Sequence, residues 1–391
     1  MSEHTDNNES QKIRVLWLTK ALGFGGVERL LEHMAKVINH SKYTVECAFA
    51  NSNYAELVPA LEKQSVRTHW LSKYSGDVAW PLRLLYVLRT GRYDVVHSHS
   101  PLLASLARIF ILTIPQARRP LLITTDHSFW YYYPRMTRFL NAATANLDNF
   151  NIAVSSEVRR SIAGKAGKNT TIQIQGIELA PLWGLRAKAV DTKRPDADML
   201  HIATVANFTS PKDYPTLFKA CRILKDRGVN YRLRIIGGWF NAKDKTRTLA
   251  LCEDLELPPY LEFCGFREDI GRLVVSSDIF VIASAFDAGP ITAMEAAALG
   301  LPIVSTKVGI MNDAFTNEED CLLVPTRDPV ALAEAIIRMA NDQGLRKRLS
   351  QCAFQRSVQF DINRVVGSLE ELYSSGLKQI RSGVPASGSQ K

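Results

Sequence analysis

Cysteine is scarce and scattered. The six residues (Cys47, Cys221, Cys252, Cys264, Cys321 and Cys352) sit among apolar neighbours with no CxxC spacing. That excludes a disulfide scaffold and a metal framework, and it reads as reduced core thiols in a reducing compartment. Long apolar runs are also missing. The longest, Pro101 to Ile114, is interrupted by Arg108 and is too short to span a bilayer. The opening stretch, Met1 to Gln11, is polar and acidic, unlike a signal peptide. No dinucleotide fingerprint is present: after Gly23 and Gly25 the place of the third glycine holds Glu28, so a nicotinamide enzyme is a poor reading. There is no nucleic-acid reading motif and no internal repeat beyond two similar halves.

What is present is a chain of 391 residues, 46% hydrophobic and 22% charged, long enough for two ordinary domains. Its net charge of +9 is uneven. Residues 1–184 hold 21 Lys/Arg against 14 Asp/Glu, whereas residues 185–391 hold 27 against 25. A basic first half suits an anionic membrane surface, an acidic acceptor or nucleic acid, or is a generic soluble surface.

The most informative stretch runs from Ile279 to Thr306. Ile279 to Ala283 is a short apolar run that predicts a buried parallel strand. A loop follows over Ser284–Gly289, and Pro290 is placed at the first helical position by its fixed φ and missing N–H. Gly300 ends the helix and the next strand begins at Pro302. Gly289 lets a ligand approach the backbone, and the free amides of Ile291 and Thr292 favour an anion such as a phosphate. Asp287 in the loop and Glu295 in the helix can accept hydrogen bonds from sugar hydroxyls, or can be a cap and a solvated side chain. Glu295 is surrounded by Ala293, Met294, Ala296, Ala297, Ala298 and Leu299, so it is expected to need a partner.

These residues resemble the donor-site signature of family 4 retaining glycosyltransferases of the GT-B fold: a Glu, seven residues, then a Glu entering an Ala-rich helix. Glu295 matches the second acid; Asp287 replaces the first and is shorter by one methylene. The stretch 205–220, VANFTSPKDYPTLFKA, is similar to a family segment whose Arg and Lys grip the donor pyrophosphate. Lys212 matches the Lys, while Asn207 stands where the Arg is expected. Loss of a charge-assisted contact is worth ~1.5–3 kcal/mol. The resemblance further places Gly237 and Phe266 at the donor, Gly25 and Gly26 in a glycine turn opening toward the acceptor, and His127 beside the reacting sugar. His97 and His99 are read as structural, and His127 is not assigned as a general base. Gly176-Ile177-Glu178 resembles a family turn at the end of the first domain.

The implied fold is α/β: GT-B, with two Rossmann-like doubly wound domains facing a cleft. The expected boundaries are a disordered N-terminus over 1–11, an acceptor-side domain over 12–182, a linker over 183–199, a nucleotide-sugar domain over 200–358, a helix over 359–380 crossing back, and a disordered tail over 381–391. The implied activity is retaining, metal-independent transfer of a sugar from a nucleotide-sugar donor to a glycan or lipid-linked acceptor in bacterial cell-surface polysaccharide synthesis. Lys212, Asp287, Glu295 and His127 would serve the chemistry, and Asn207, Gly237, Phe266, Gly289, Pro290, Ile291 and Thr292 the donor. No cofactor, metal or nucleic acid is expected. The expected location is the cytoplasm, with room for peripheral contact with an anionic membrane. The alternatives are a catalytically degenerate nucleotide-sugar-binding protein, and a GT-B epimerase or hydrolase.

Three further features stand out in the sequence. Asp196-Ala197-Asp198 has the form of a GT-A metal triplet but precedes a strand in a solvated run. Trp130–Tyr133 with Arg135 and Arg138 suits a membrane interface or a sugar-stacking surface, or is a helix burying its aromatics; Trp80–Arg92 has a similar mix.

Overall fold

A computed structural model describes residues 12–162, 170–189, 198–239 and 241–382. Backbone contacts divide the chain into two units. The described residues of Met1–Ala153, Ser161–Thr171 and Val366–Lys391 form the first, and Val154–Arg160 with Ile172–Val365 form the second. The expected N-terminal stretch 1–11, residues 190–197 of the expected linker with Asp196 and Ala197, and 383–391 of the tail lie outside the described residues.

The first unit is built on strands β1 (Ile13–Thr19), β2 (Tyr43–Phe49), β3 (Arg67–Trp70), β4 (Val95–Ser98), β5 (Leu121–Asp126), β6 (Phe150–Ala153) and β7 (Thr170–Ile172). They lie in the order β3-β2-β1-β4-β5-β6-β7, and the pairs from β3 to β6 are parallel. The connecting helices are α1 (Gly26–Val37), α2 (Val58–Lys63), α3 (Trp80–Thr90), α4 (Pro101–Ile111) and α5 (Arg135–Thr144). One core lies between α3, α4 and the sheet, through Leu84, Leu88, Leu103, Ala107 and Ile111 against Leu16, Leu18, Val96 and Leu122. Within it Arg108 is fully buried. Its guanidinium donates two hydrogen bonds to Asp148, at 2.8 and 2.6 Å, and others to Asn141, Thr144 and Thr124. A buried charge is tolerated only when paired and hydrogen-bonded to this degree.

The second unit holds α6 (Ser156–Ser161, up to Arg160) and α7 (Leu179–Ala189), then β8 (Leu200–Val205), α8 (Tyr214–Asp226), β9 (Tyr231–Ile236), α9 (Ala242–Asp254), β10 (Leu261–Gly265), α10 (Ile270–Val274) and β11 (Ile279–Ile282). After these come α11 (Ile291–Ala298), β12 (Ile303–Thr306), α12 (Ile310–Asp313), β13 (Leu322–Val324), α13 (Pro329–Asn341) and α14 (Gln343–Ser357). The sheet order is β10-β9-β8-β11-β12-β13, again parallel. Both faces are covered, as the continuous apolar strands require. Ile279 and Val281 of β11 point into one core, Phe280 and Ile282 into the other.

A last helix, α15 (Ile362–Ser382), starts in the second unit, and its residues from Val366 belong to the first. There Tyr373 is fully buried and its hydroxyl meets His97 Nδ1 at 2.7 Å. Residues 179–189, which run into the expected linker over 183–199, form a helix packed on α10 and α11. Gly184 and the mixed sequence around it hide the helical period. Gly176 has a structural reason in the second unit: an added Cβ would stand 2.8 Å from Ile362 Cα, beside the bridge from Ile177 to Asp361.

Candidate functional site

In an open parallel sheet, ligands bind beyond the carboxyl ends of the strands, where the strand order reverses. In the second unit that point lies between β8 and β11. The donor-side residues fall around it. Asn207 follows β8, Gly237 follows β9, Phe266 follows β10, and Asp287 to Glu295 follow β11.

Lys212 and Asp287, 75 positions apart in sequence, form an ion pair with Nζ to Oδ2 at 2.5 Å. Both are fixed locally. Lys212 closes a 3-10 turn over Ser210–Lys212, and Asp213 behind it caps α8, accepting from the Thr216 hydroxyl at 2.7 Å. The loop carrying Asp287 is tied to this turn, because the Ala285 amide donates to the Pro211 carbonyl at 2.9 Å. Asp287 Oδ1 also accepts from the Gly289 amide at 3.2 Å. Lys212, Asp287 and Thr292 line one small cavity with Thr204, Ala206 and Ser284.

Pro290 is one place earlier than expected. It is the N-cap residue of α11, with ψ at 97°, and Ile291 is the first helical residue. The residue still lacks an N–H where none could be satisfied, so the first-turn amides remain those of Ile291 and Thr292. The helix then buries Ala293, Met294, Ala296, Ala297 and Ala298. Ile291, Thr292 and Glu295 are only partly buried. They share one face by their spacings of three and four. Glu295 is therefore not enclosed by the alanines that flank it in sequence; the helical period turns it out of them. Gly300, with φ +67°, ends the helix in a Schellman pattern: Leu301 N–H donates to Ala296 and Gly300 N–H to Ala297, each at 2.9 Å.

The glycines divide into two kinds. A Cβ on Gly237 would overlap the Ala206 carbonyl, so packing alone demands glycine there. At Gly289 a Cβ would meet nothing nearer than Ile310 Cγ2 at 3.4 Å, and its φ is not left-handed, so the fold itself does not require glycine. Asn207 is already engaged: its Oδ1 accepts from the Gly238 amide at 2.8 Å, joining the loops after β8 and β9. Phe266 is exposed near Gly238. Gly309 was missed by the sequence reading. It has φ +46°, and a Cβ there would overlap the carbonyls of Asp287 and Ala288, so it shapes the loop that presents Asp287. Its only sequence signal is its place directly before a short helix.

In the first unit, Gly25 is the N-cap of α1 and Gly26 its first residue. The Glu28 side chain folds back to where a Gly25 Cβ would lie. At the ends of β4 and β5 three histidines adjoin. His99 Nδ1 and His127 Nε2 are 3.0 Å apart, so one nitrogen donates and the other accepts. The rings of His97 and His99 lie 4.2 Å apart. His97 is bonded on both nitrogens, to Tyr373 at 2.7 Å and Thr125 at 2.8 Å. Burial, then the neighbouring His127, pushes the pKa of His97 down to about 3. Ring desolvation does the same for His127, to about 3, although part of that residue meets solvent. His99 lies well below the usual range for the same first reason. Beside them burial raises buried Asp126 to about 6, against a hydrogen bond from Tyr133 at 3.3 Å.

The profile of "Glycosyltransferase Family 4" matches residues 24–174, and that of "Glycosyl transferases group 1" matches residues 189–356. Among curated relatives, the amylovoran biosynthesis glycosyltransferase AmsK of Erwinia amylovora is 31% identical over 171 residues, 41% of each chain. The N,N'-diacetylbacillosaminyl-diphospho-undecaprenol alpha-1,3-N-acetylgalactosaminyltransferase of Campylobacter jejuni is 27% identical over 231 residues, 58% of this chain and 59% of that one. These matches thus span less than two thirds of the relatives' length. The crystal structure of Anabaena Alr3699/HepE in complex with UDP-glucose superposes with a TM-score of 0.79 at 18% identity, covering 93% of this chain and 100% of that one. That likeness shows the fold. With two parallel doubly wound sheets and both profiles in register along it, the chain belongs to the group 1, family 4 glycosyltransferases of the GT-B fold.

Proposed function

We propose that the protein transfers a sugar from a uridine-nucleotide donor to a lipid-linked acceptor in bacterial polysaccharide synthesis, with retention of anomeric configuration and without a metal ion. The observation carrying this is the meeting of Lys212, Asp287 and the amide-tipped start of α11 at the carboxyl ends of β8 and β11. In this reading the donor diphosphate takes the Ile291 and Thr292 amides and the Lys212 ammonium, while Glu295 holds the ribose hydroxyls and Asp287 the transferred sugar. Phe266 flanks the base, and Gly289 admits the donor. An acceptor hydroxyl oxygen bonds to the anomeric carbon on the face the diphosphate leaves. The C–O bond to phosphate breaks, its electron pair goes to the diphosphate, and the hydroxyl proton passes to a departing phosphate oxygen. Lys212 and the helix amides stabilise the charge that develops there. The first unit, with Gly25, Gly26 and His127, serves the acceptor and the reacting sugar; His127 is held neutral and so acts as a hydrogen-bonding group.

Relatives support the two substrates. A curated Escherichia coli relative, 28% identical over 120 residues, is a UDP-Gal:alpha-D-GlcNAc-diphosphoundecaprenol alpha-1,3-galactosyltransferase, and the Campylobacter jejuni relative also carries an undecaprenol-linked substrate in its name. A cytoplasmic location with peripheral membrane contact goes with such an acceptor. The test is turnover of a panel of UDP-sugars with and without undecaprenyl-diphosphate glycans, with the product anomer read by NMR. Acceptor-dependent transfer with a retained anomer supports the proposal. Donor binding without turnover points to a degenerate binding protein, and turnover without acceptor to an epimerase or hydrolase.

A further inference from the structure

Residues 154–160 follow β6 directly in the chain, yet by their contacts they belong to the second unit. Ser155 caps the short helix α6. Its carbonyl accepts from the Arg159 amide at 3.0 Å and its hydroxyl from the Val158 amide at 3.3 Å, which leaves Glu157 in the first turn. An acid at that position suits the helix dipole and by itself carries no function. Here its carboxylate is engaged elsewhere. Oε2 accepts from the Gly309 amide at 3.1 Å, and Oε1 accepts from Asn312 Nδ2 at 2.7 Å. The adjacent Ser156 amide donates to Asp313 Oδ2 at 2.6 Å. Three hydrogen bonds therefore clamp one turn of α6 onto α12 and its N-cap, 152 to 157 positions away.

The clamp reaches the donor loop through Gly309. The Gly309 amide lies at the start of α12, where no helical carbonyl can accept from it. Glu157 satisfies it with a charged oxygen, which makes the stronger kind of hydrogen bond. On its other side Gly309 packs against the Asp287 and Ala288 carbonyls so closely that a Cβ would overlap both. The turn and the backbone carrying Asp287 must therefore move together. A second contact runs beside the first. A Cβ placed on Gly289 would meet Ile310 Cγ2 at 3.4 Å and Val154 Cγ2 at 3.9 Å, so the residue after Gly309 and the residue three before Glu157 both flank the Asp287 loop. Lys212 is held differently. Its amide donates to the Thr209 carbonyl at 3.0 Å within its own turn, and the first amides of α11 are fixed by that helix. The clamp thus bears on the Asp287 loop more directly than on the diphosphate contacts.

We propose that Glu157 is a positioning residue for the transferred sugar: its carboxylate fixes the Gly309 turn, and the turn fixes the loop that presents Asp287. The inference rests on the reading of Asp287 as the partner of that sugar. Its test uses the full chain in two assays. In the ligand-free protein, the amide resonance of Gly289, which donates to Asp287 Oδ1, reports the loop. Titration calorimetry with UDP, UDP-glucose and UDP-galactose separates the diphosphate contacts from the sugar contact. Glu157→Ala is expected to shift the Gly289 resonance and to bind UDP as wild type does. It should lose ~10-fold or more in affinity for whichever of the two UDP-sugars wild type binds more tightly. Glu157→Gln keeps an oxygen for the Gly309 amide and an amide for a turned Asn312 side chain, and should behave as wild type. Glu157→Asp, one methylene shorter, repeats the test if the alanine variant does not fold. An unmoved Gly289 resonance, equal loss of UDP and UDP-sugar affinity, or a glutamine variant as impaired as the alanine one would each overturn the proposal. Wild type that binds no UDP, while Glu157→Ala still moves the resonance, would overturn the donor reading and this one with it.

Discussion

The two units share a frame and differ in what stands at its functional end. Each is a parallel doubly wound sheet whose strand order reverses beside its first strand. In the second unit, the loops after the strands bring together an ion pair, helix-end amides and a partly exposed glutamate. In the first, the same positions hold three desolvated histidines and a buried aspartate. The sheet therefore sets where a site can lie, and the loops set what it can do. The second unit carries a paired lysine and aspartate beside helix-end amides. The first offers neutral hydrogen-bonding groups.

Lys212→Ala should sharpen this contrast most. Removing the ammonium is expected to lower kcat by ~100- to 1000-fold with little change in melting temperature. Asp287→Asn keeps the loop and tests whether the pair or the cation matters. Gly309→Ala comes next. It forces a left-handed residue to carry a Cβ against the Asp287 and Ala288 carbonyls, and should destabilise the second unit by about 2 kcal/mol or more while displacing the Asp287 loop; calorimetric unfolding with an activity assay reads both. Glu295→Ala should weaken donor affinity ~10- to 100-fold, read by calorimetric titration of UDP.

Acid should weaken the first unit. The folded pKa values of His97 and His127, about 3, lie below the ordinary 6.5. Between those limits the unfolded chain binds more protons, so stability falls as the pH drops. Asp126, raised from 3.8 to about 6, has the opposite sign and partly offsets this as it takes a proton in the folded state. Glu46, pulled down to about 2 chiefly by its hydrogen bond with His69, adds a further loss below its ordinary 4.5. Thermal unfolding from pH ~7 down to ~4, followed through tryptophan fluorescence, should show a falling midpoint; a flat profile contradicts the neutral histidine cluster. The smallest effect is Gly300→Ala, which strains the end of α11 by about 1–2 kcal/mol and should show as a lower midpoint with near-normal donor binding.

Much of the fold was legible because β8, β11 and β12 are short apolar runs and Gly300 and Pro302 punctuate them. Lys212, Asp287 and Glu295 stand as candidates through their residue types and the resemblance to the family's donor-site segments. That Lys212 and Asp287 bond to each other was not legible, since 75 intervening positions carry no distance information. The roles of Gly237 and Gly309 depend on carbonyls brought up by other loops, which no local pattern encodes. Residues 179–189 escaped because α7 has no clean apolar stripe. The aromatic stretches at 80–92 and 130–138 were ambiguous for a physical reason: an apolar helix face has the same period whether it meets a core or a bilayer. Trp130 is buried and Tyr131 and Tyr132 are exposed, so one short segment does both.

The proposed role of Lys212 and the start of α11 is to hold a nucleotide diphosphate. Titration calorimetry of UDP against wild type, Lys212→Ala and a first-unit variant, His127→Ala, tests it directly. Wild type is expected to bind saturably, Lys212→Ala at least ~10-fold more weakly, and His127→Ala as wild type does. Equal affinity for wild type and Lys212→Ala, or loss only on changing His127, would contradict it.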